Sequence, residues 1–189
     1  DALKLAGVQD EAITDNAVKI TKKRFVWLLI NLFTAVIASY VIGLFDGNIQ
    51  KVVALAVLMP IVASMGGNAA TQTLTVTVRL IATKELTAEN LFKIIGKEFS
   101  VGFLNGILFS LISGLFVYFW FYEIKLSILI AVSMVINMAC AGLSGIAIPV
   151  ILDKLKIDPA IASTVFVTTV TDVVGFVSFL GLAGIILGI

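Results

Sequence analysis

Five long apolar stretches constrain this sequence more than any other feature. A bilayer core about 30 Å thick is crossed by about 20 mostly apolar helical residues, and every one of the five stretches reaches that length. None shows the period-2 alternation that would indicate a transmembrane barrel. The predicted spans, numbered in chain order, are 25–45, 52–81, 99–122, 126–152 and 161–189. The sequence therefore predicts an all-α polytopic membrane protein with five transmembrane helices.

The composition excludes a soluble domain. Hydrophobic residues make up 60% of the chain and charged residues only 13%, whereas globular domains carry about 25% charged residues. A basic stripe with interleaved aromatic residues is missing, so nucleic acid is excluded as a partner and the lipid bilayer is expected instead. The sequence contains no histidine, and Cys140, its single cysteine, is interpreted as a small packing residue.

Positive charges predict the orientation. All but two of the 13 Lys and Arg residues lie before the first span or around the second and fourth loops, the exceptions being Lys51 and Lys125. Because cytoplasmic loops carry the excess of Lys and Arg, the N-terminus is predicted to be cytoplasmic and the C-terminus outside. Residues 1–24 are predicted to form an amphipathic cytoplasmic segment, and residues 25–189 the five-helix membrane domain.

Asp172 is the most informative polar residue. It lies eleven residues past the start of the fifth span, about 16 Å into the membrane. A carboxylate at that depth is costly unless it faces water, a cation or a partner group. Thr164 and Thr168 precede it at intervals of four residues, which puts all three side chains on one helix face. This face is predicted to line a path for a hydrated cation; the alternative is an Asp that bonds a neighbouring helix.

The second span is unusually polar for a membrane helix. Pro60 removes one backbone hydrogen bond, and Gly66-Gly67 permits either a kink or a close helix approach. Oxygen and amide groups then follow along one broad face, on Ser64, Asn68, Thr71, Gln72 and Thr75. The alternatives are a pore lining and a packing seam with interhelical hydrogen bonds, and Asp172 favours the pore.

Other polar and small residues within the spans are interpreted as packing groups. Gly102 with Gly106, and Gly142 with Gly145 or Ala141, are predicted helix contact surfaces. Single amides and hydroxyls are expected to bond neighbouring helices, and among them Asn137 is the first candidate for a larger role. The single amides and hydroxyls concerned are Asn31, Asn105, Ser133 and Asn137.

The inventory of side chains favours a hard cation and argues against an enzyme. Oxygen ligands suit Mg²⁺, which keeps several waters and takes one or two carboxylates. A two-fold dimer would bring two carboxylates together, enough to neutralise a divalent ion, and two-fold dimers are the commonest oligomers. Gly142-Leu143-Ser144-Gly145 matches the Gly-x-Ser-Gly pattern of rhomboid proteases, but the histidine base is missing. Aspartyl intramembrane proteases need two facing carboxylates, and only Asp172 lies deep in a span.

Three segments resemble the MgtE family of magnesium channels and transporters. The first is the run 60–72, in which Met65-Gly66-Gly67-Asn68 is followed by Gln72. The second runs from Asp158-Pro159 through 166–176, and the third is 22–31. Their order and spacing cover essentially the whole chain.

The resemblance implies a homodimeric transmembrane domain with a central ion path lined by the second and fifth spans. Asp172 would then be the pore aspartate that binds a hydrated Mg²⁺ from each protomer, with Asn68, Thr168 and Thr164 bonding its water shell. It also implies that residues 1–24 resemble a connecting plug helix, that the protein lies in the prokaryotic inner membrane, and that Mg²⁺ is the transported ion, with no organic cofactor.

Two alternatives to passive, channel-like permeation remain open from the sequence. One is a coupled secondary carrier at the same site, such as a Na⁺/Mg²⁺ exchanger. The other is a membrane assembly domain without transport, in which Asp172 is a packing residue.

Overall fold

The computed structural model describes residues 16–188, apart from the side chains at positions 23 and 161. Within these residues the chain is helical, without strands, and five helices are long and apolar enough to cross a membrane. The five predicted spans are thereby confirmed. The helices are α1 (Ala17–Gly43), α2 (Asp46–Lys51), α3 (Ala54–Ala82), α4 (Leu91–Phe121), α5 (Ile124–Lys154) and α6 (Pro159–Ala183), followed by a π-helical turn at Gly184–Gly188.

Helices α1, α4, α5 and α6 begin before the apolar segments that predicted them, whereas α3 begins two residues after its segment. Helix α4 begins at Leu91 rather than at residue 99 and is about 46 Å long, because backbone hydrogen bonding continues after the hydropathy signal ends at charged side chains. Sequence analysis missed the short helix α2 between the first two spans. Helix α1 runs without a break through residues 24 and 25, and residues 1–15 lie outside the described part, so the predicted domain division stays a prediction.

Short connections bring successive helices side by side. Tyr122 ends α4 in the left-handed region, with φ of 54°, and its N–H donates to the Tyr118 carbonyl at 2.8 Å. Helix α5 begins two residues later. At the opposite end of the bundle Asp158 caps α6, because its carboxylate accepts the Ala160 N–H at 3.0 Å, and Pro159 occupies the first turn, where no N–H is needed. These connections impose an up-and-down arrangement.

Helix α5 is the centre of the bundle. It packs against α3, α4 and α6, and 56% of its apolar central segment is buried, against 28% for each of those three neighbours. Helix α1 packs mainly on α6 and is only 6% buried over its central segment. The bundle of α3 to α6 is therefore the core of the chain, with α1 at its edge.

Two apolar clusters fill the interior at different depths. One lies where α3 and α5 begin and where α4 and α6 end, around Leu58, Ile130 and Phe179. The other lies toward the opposite end of the bundle, around Leu74, Ala141 and Val167. Asn137 is fully buried at a depth between them, so the bundle has a polar layer at its middle.

Candidate functional site

Asp172 lies at the middle of α6, about 20 Å along the helix from Pro159. Its side chain is half-buried, and no hydrogen bond or ion pair joins its carboxylate to another described residue. Pairing with a Lys or Arg of the described chain therefore does not offset the charge. An unpaired carboxylate within a membrane-spanning helix needs water, a cation or a second chain beside it.

Thr164 and Thr168 lie on the same face of α6 as Asp172, as predicted, because α6 is helical over all three positions. Both side chains are half-buried. The Thr168 hydroxyl donates to the Thr164 carbonyl at 2.9 Å and to the Val165 carbonyl at 3.1 Å. Its single proton is thus used within the helix, and the oxygen lone pairs remain as acceptors.

Helix α3 carries a row of exposed polar side chains next to α6. The hydroxyls of Thr71 and Thr75 donate to backbone carbonyls one turn earlier, each at 2.8 Å. Like the Thr168 hydroxyl, these two hydroxyls therefore have only their oxygen lone pairs left, which accept hydrogen bonds from groups outside the helix. The polar row, as we call these residues, comprises Ser64, Asn68, Thr71 and Thr75, all exposed, with Gln72 exposed at its edge.

The backbones of α3 and α6 approach closely along this row. A Cβ on Gly67 would lie 3.9 Å from the Thr171 Oγ1 atom. Asn68 and Asp172 each follow directly after one residue of this contact, so both lie next to a point where α3 and α6 meet. Of these two sequence candidates, Asn68 is exposed and Asp172 is half-buried.

Asn137 holds the helices behind this row. Its Nδ2 donates to the Val62 carbonyl on α3 at 2.8 Å, which confirms the predicted interhelical bond. A Cβ on Gly66 of α3 would overlap the Asn137 amide, and one on Gly175 of α6 would lie 2.9 Å from the same amide nitrogen. The Asn137 side chain therefore packs between two glycines, and it fits there only because neither glycine has a side chain.

Sequence analysis missed a second polar group, around Glu98 on α4. The Thr73 hydroxyl of α3 donates to Glu98 Oε2 at 3.1 Å, beside a cavity of about 250 Å³. The predicted third span began at residue 99, which placed Glu98 just outside the membrane. A longer helical window from Leu91 would have included it.

Within the described residues no group of three or more Asp, Glu, Cys or His side chains could hold a metal ion. The described part of the chain therefore offers no closed metal site with several acidic ligands. What it offers is one carboxylate beside neutral oxygen acceptors, a set that suits an ion which keeps its waters.

Comparisons with known proteins give a consistent result. The family model of MgtE, described as a divalent cation transporter, matches residues 59–182. The chain is 34% identical over 161 residues to a protein of Bacillus subtilis named magnesium transporter MgtE, covering 85% of the chain and 36% of that protein. The protein of the same name from Enterococcus faecalis is 32% identical over 179 residues, covering 95% of the chain and 40% of that protein.

A third relative, the magnesium transporter MgtE of Thermus thermophilus, is 32% identical over 161 residues, or 85% of the chain. The chain spans less than half the length of these three relatives, between 36% and 40%. The likeness thus extends over most of this chain and over one part of each relative.

Proposed function

This chain belongs to the MgtE family of divalent cation transporters, and on that premise we propose that it conducts hydrated Mg²⁺ passively across the membrane. The path is a two-fold pore between two copies of the chain, lined by α3 and α6, the second and fifth membrane spans. Asp172 of each copy binds the hydrated ion, and Asn68, Thr168 and Thr164 bond its water shell. Mg²⁺ is cargo rather than cofactor, and the role is transport rather than catalysis.

The observation that carries this proposal is the exposed polar row on a membrane-crossing helix. Asn68 and Thr71 lie in the middle part of α3, on the surface of a single chain. Lipid cannot hydrogen-bond an amide, and each polar group left without a partner there costs several kcal/mol, on the order given for buried polar groups. A second copy of the chain covering this surface, with water between the copies, removes that cost.

The direction of the hydroxyl hydrogen bonds supports transport of an ion with its water shell. Thr71, Thr75 and Thr168 all donate to their own helices, so their outward lone pairs accept hydrogen bonds. The waters around a cation point their hydrogens outward. A lining of acceptors therefore complements a hydrated cation, whereas direct metal ligation would strip waters that Mg²⁺ releases reluctantly.

The single carboxylate supports two-fold symmetry. One Asp172 per chain supplies one negative charge, and two copies related by a two-fold axis supply the two that balance a divalent ion. The interface would be isologous, with the same surface of α3 and α6 from each copy.

The orientation follows from charge. One end of the bundle, which we call the loop end, holds the α3–α4 and α5–α6 connections. The segments around Lys84 and Lys156 at this end carry most of the basic residues beyond α1. The positive-inside rule places this end in the cytoplasm. On this proposal the N-terminus is cytoplasmic and the C-terminus outside, in a plasma membrane and, given the family, a prokaryotic inner membrane.

The test is Mg²⁺ flux into liposomes that contain the chain, its Asp172→Asn and Asp172→Ala variants, and Asp153→Asn as a matched control. Asp153 is exposed at the loop end, so its replacement removes a charge away from the path. We expect both Asp172 variants to lose at least about tenfold in flux, because about 1.4 kcal/mol of ion binding corresponds to a factor of ten. The control should match the original chain.

The other outcomes separate the alternatives. Unchanged flux in Asp172 variants that assemble normally would remove this residue from the mechanism. Flux that requires an opposing Na⁺ gradient would favour the coupled exchanger, and no flux from the original chain would favour a membrane assembly domain.

A further inference from the structure

The second polar group, between α3, α4 and α5, is separate from the path proposed above. A cavity of about 250 Å³ is bordered here by Glu98 and Asn105 of α4 and by Gln72 and Thr73 of α3. We propose that this cavity is a second cation site, which holds a partly hydrated divalent cation at the loop end of the bundle, beside the main path. The inference rests on the proposed function for the identity of the ion.

Two glycines of α5 place the acidic side chain here. A Cβ on Gly142 would lie 2.5 Å from the Glu98 carbonyl oxygen, and one on Gly145 would lie 2.7 Å from Cβ of Thr73. Both α4 and α3 therefore rest directly on the α5 backbone, which brings Glu98 and Thr73 within hydrogen-bond distance. The Gly-x-Ser-Gly pattern thus serves as a packing surface that builds this cavity.

The site supplies only oxygen ligands and one net negative charge. The Glu98 carboxylate accepts one hydrogen bond, from Thr73, and makes no ion pair with another described residue. An ionised carboxylate has about four lone-pair positions, so about three remain. The side-chain amides of Gln72 and Asn105 make no hydrogen bond to the described chain, and their oxygens can turn toward an ion.

Glu98 is half-buried at the edge of the apolar part of α4, where an uncompensated charge is disfavoured. It lies about 10 Å along α4 from Leu91, next to the apolar stretch that begins at Phe99. Ionisable side chains in such positions are held by a partner, by water or by an ion. The cavity has room for an ion together with several waters, which is the form in which Mg²⁺ binds to one carboxylate.

Gln72 connects the cavity with the path. On α3 it lies at the edge of the polar row, and its side chain also lines the cavity. A cation held at Glu98 would therefore lie one side chain away from the loop-end part of the main path. We infer a holding site for the ion near the predicted cytoplasmic opening.

The test is titration of the detergent-solubilised chain with Mg²⁺ alone, with bound ions counted per chain by equilibrium dialysis. The variants are Glu98→Gln, Asp172→Asn and the double variant, and Glu89→Gln is the matched control, since Glu89 is an exposed acid in the α3–α4 connection. We expect Glu98→Gln to lose about one Mg²⁺ per chain that Asp172→Asn retains. The double variant should lose both classes of site, and the control neither.

A purely structural role for Glu98 makes a different prediction. The glutamine of Glu98→Gln can still accept the Thr73 hydrogen bond, so the contact survives while the charge is lost. Conversely, Thr73→Val removes the hydrogen bond and keeps the charge, and should bind Mg²⁺ within a few fold of the original. A third variant, Ala69→Met, fills the cavity without touching a charge and should also lose the second site.

Equal Mg²⁺ binding by Glu98→Gln and the original chain would overturn the proposal. So would binding of Na⁺ in place of Mg²⁺ at Glu98, in a parallel dialysis with NaCl. Because the readout is binding at Glu98 and not flux through Asp172, failure here leaves the proposed transport function standing, and failure of flux leaves this site testable.

Discussion

At the residue scale, threonine has two different uses in this chain. The hydroxyls of Thr71, Thr75 and Thr168 donate to carbonyls one turn earlier in their own helices, which leaves the oxygen lone pairs as the outward polar feature. The Thr73 hydroxyl instead donates to Glu98 on a neighbouring helix. Thr168 of the predicted path and Thr169 beside it are a natural pair, because both donate to the Val165 carbonyl, at 3.1 and 2.6 Å. They differ by about 100° around α6, so only one of them lies on the Asp172 face.

This pair gives a prediction for single substitutions. Thr168→Val keeps the shape of the side chain but removes the acceptor proposed to bond the water shell. A hydrogen bond of about 1 kcal/mol corresponds to roughly a fivefold loss of Mg²⁺ flux. Thr168→Ser should retain flux, and Thr169→Val should have little effect. Liposome flux with equal amounts of incorporated protein measures all three. Equal losses in Thr168→Val and Thr169→Val would indicate a general effect on α6 rather than a contact with the ion's waters.

At the element scale, α5 positions α3 and α6 through one buried asparagine. Asn137 bonds the Val62 carbonyl and lies against Gly66 and Gly175. Interhelical hydrogen bonds in membranes contribute on average about 0.6 kcal/mol, so the bond alone stabilises little. The close packing it accompanies matters more, because it sets the spacing of the two helices that carry Asn68 and Asp172.

Adjacent glycines on α3 allow a direct test of that packing. Gly66→Ala places a methyl group on the Asn137 amide and should lower the free energy of unfolding by about 1–3 kcal/mol. Gly67→Ala meets nothing closer than 3.9 Å and should be neutral or stabilising, since Ala favours a helix over Gly by about 1 kcal/mol. Thermal unfolding in detergent, followed by size-exclusion chromatography, compares the two. If Gly66→Ala were as stable as Gly67→Ala, the packing of Asn137 between Gly66 and Gly175 would not determine the spacing of α3 and α6.

At the scale of the whole molecule, the surface of a single chain has both an apolar part and a polar part within its membrane-spanning helices. Leu111 on α4 is 61% exposed and apolar, as a lipid-facing residue should be, while Thr71 on α3 is exposed and polar. These two surfaces require different neighbours. Lipid suits the first surface, and under the proposed two-fold arrangement water and a second copy of the chain would cover the second.

Native mass spectrometry should therefore detect a dimer, with twice the 20.1 kDa mass of the chain. The polar rows of the two copies should face each other across the hydrated path. In a Cys140→Ala background, cysteines introduced in turn at Ser64, Asn68, Thr71 and Thr75 should be joined between copies by a bifunctional thiol reagent long enough to span the hydrated path, and Leu111→Cys should not. Cross-linking through Leu111→Cys alone would place the interface on α4 and contradict the two-fold path.

Much of this organisation follows from the sequence alone, because it depends on local physics. Lipid leaves a spanning segment little choice but a helix, so five apolar stretches predict five helices. The fixed helical repeat then puts Thr164, Thr168 and Asp172 on one face without knowledge of any neighbour. Depth along the helix likewise follows from counting residues, which is why Asp172 stood out as a functional candidate.

The contacts between helices required the tertiary structure. Three contacts depend on how each helix is rotated and how deep it lies. They are the face of α3 that meets α6, the position of Asn137 between Gly66 and Gly175, and the contact of Glu98 with a threonine 25 residues earlier. Those two quantities are determined by all the small-residue contacts on α5 at once. No single stretch of sequence contains them. The candidate residues Thr164, Thr168 and Asp172 could therefore be placed on one face from their own helix, whereas the second polar group became visible only when three helices packed together.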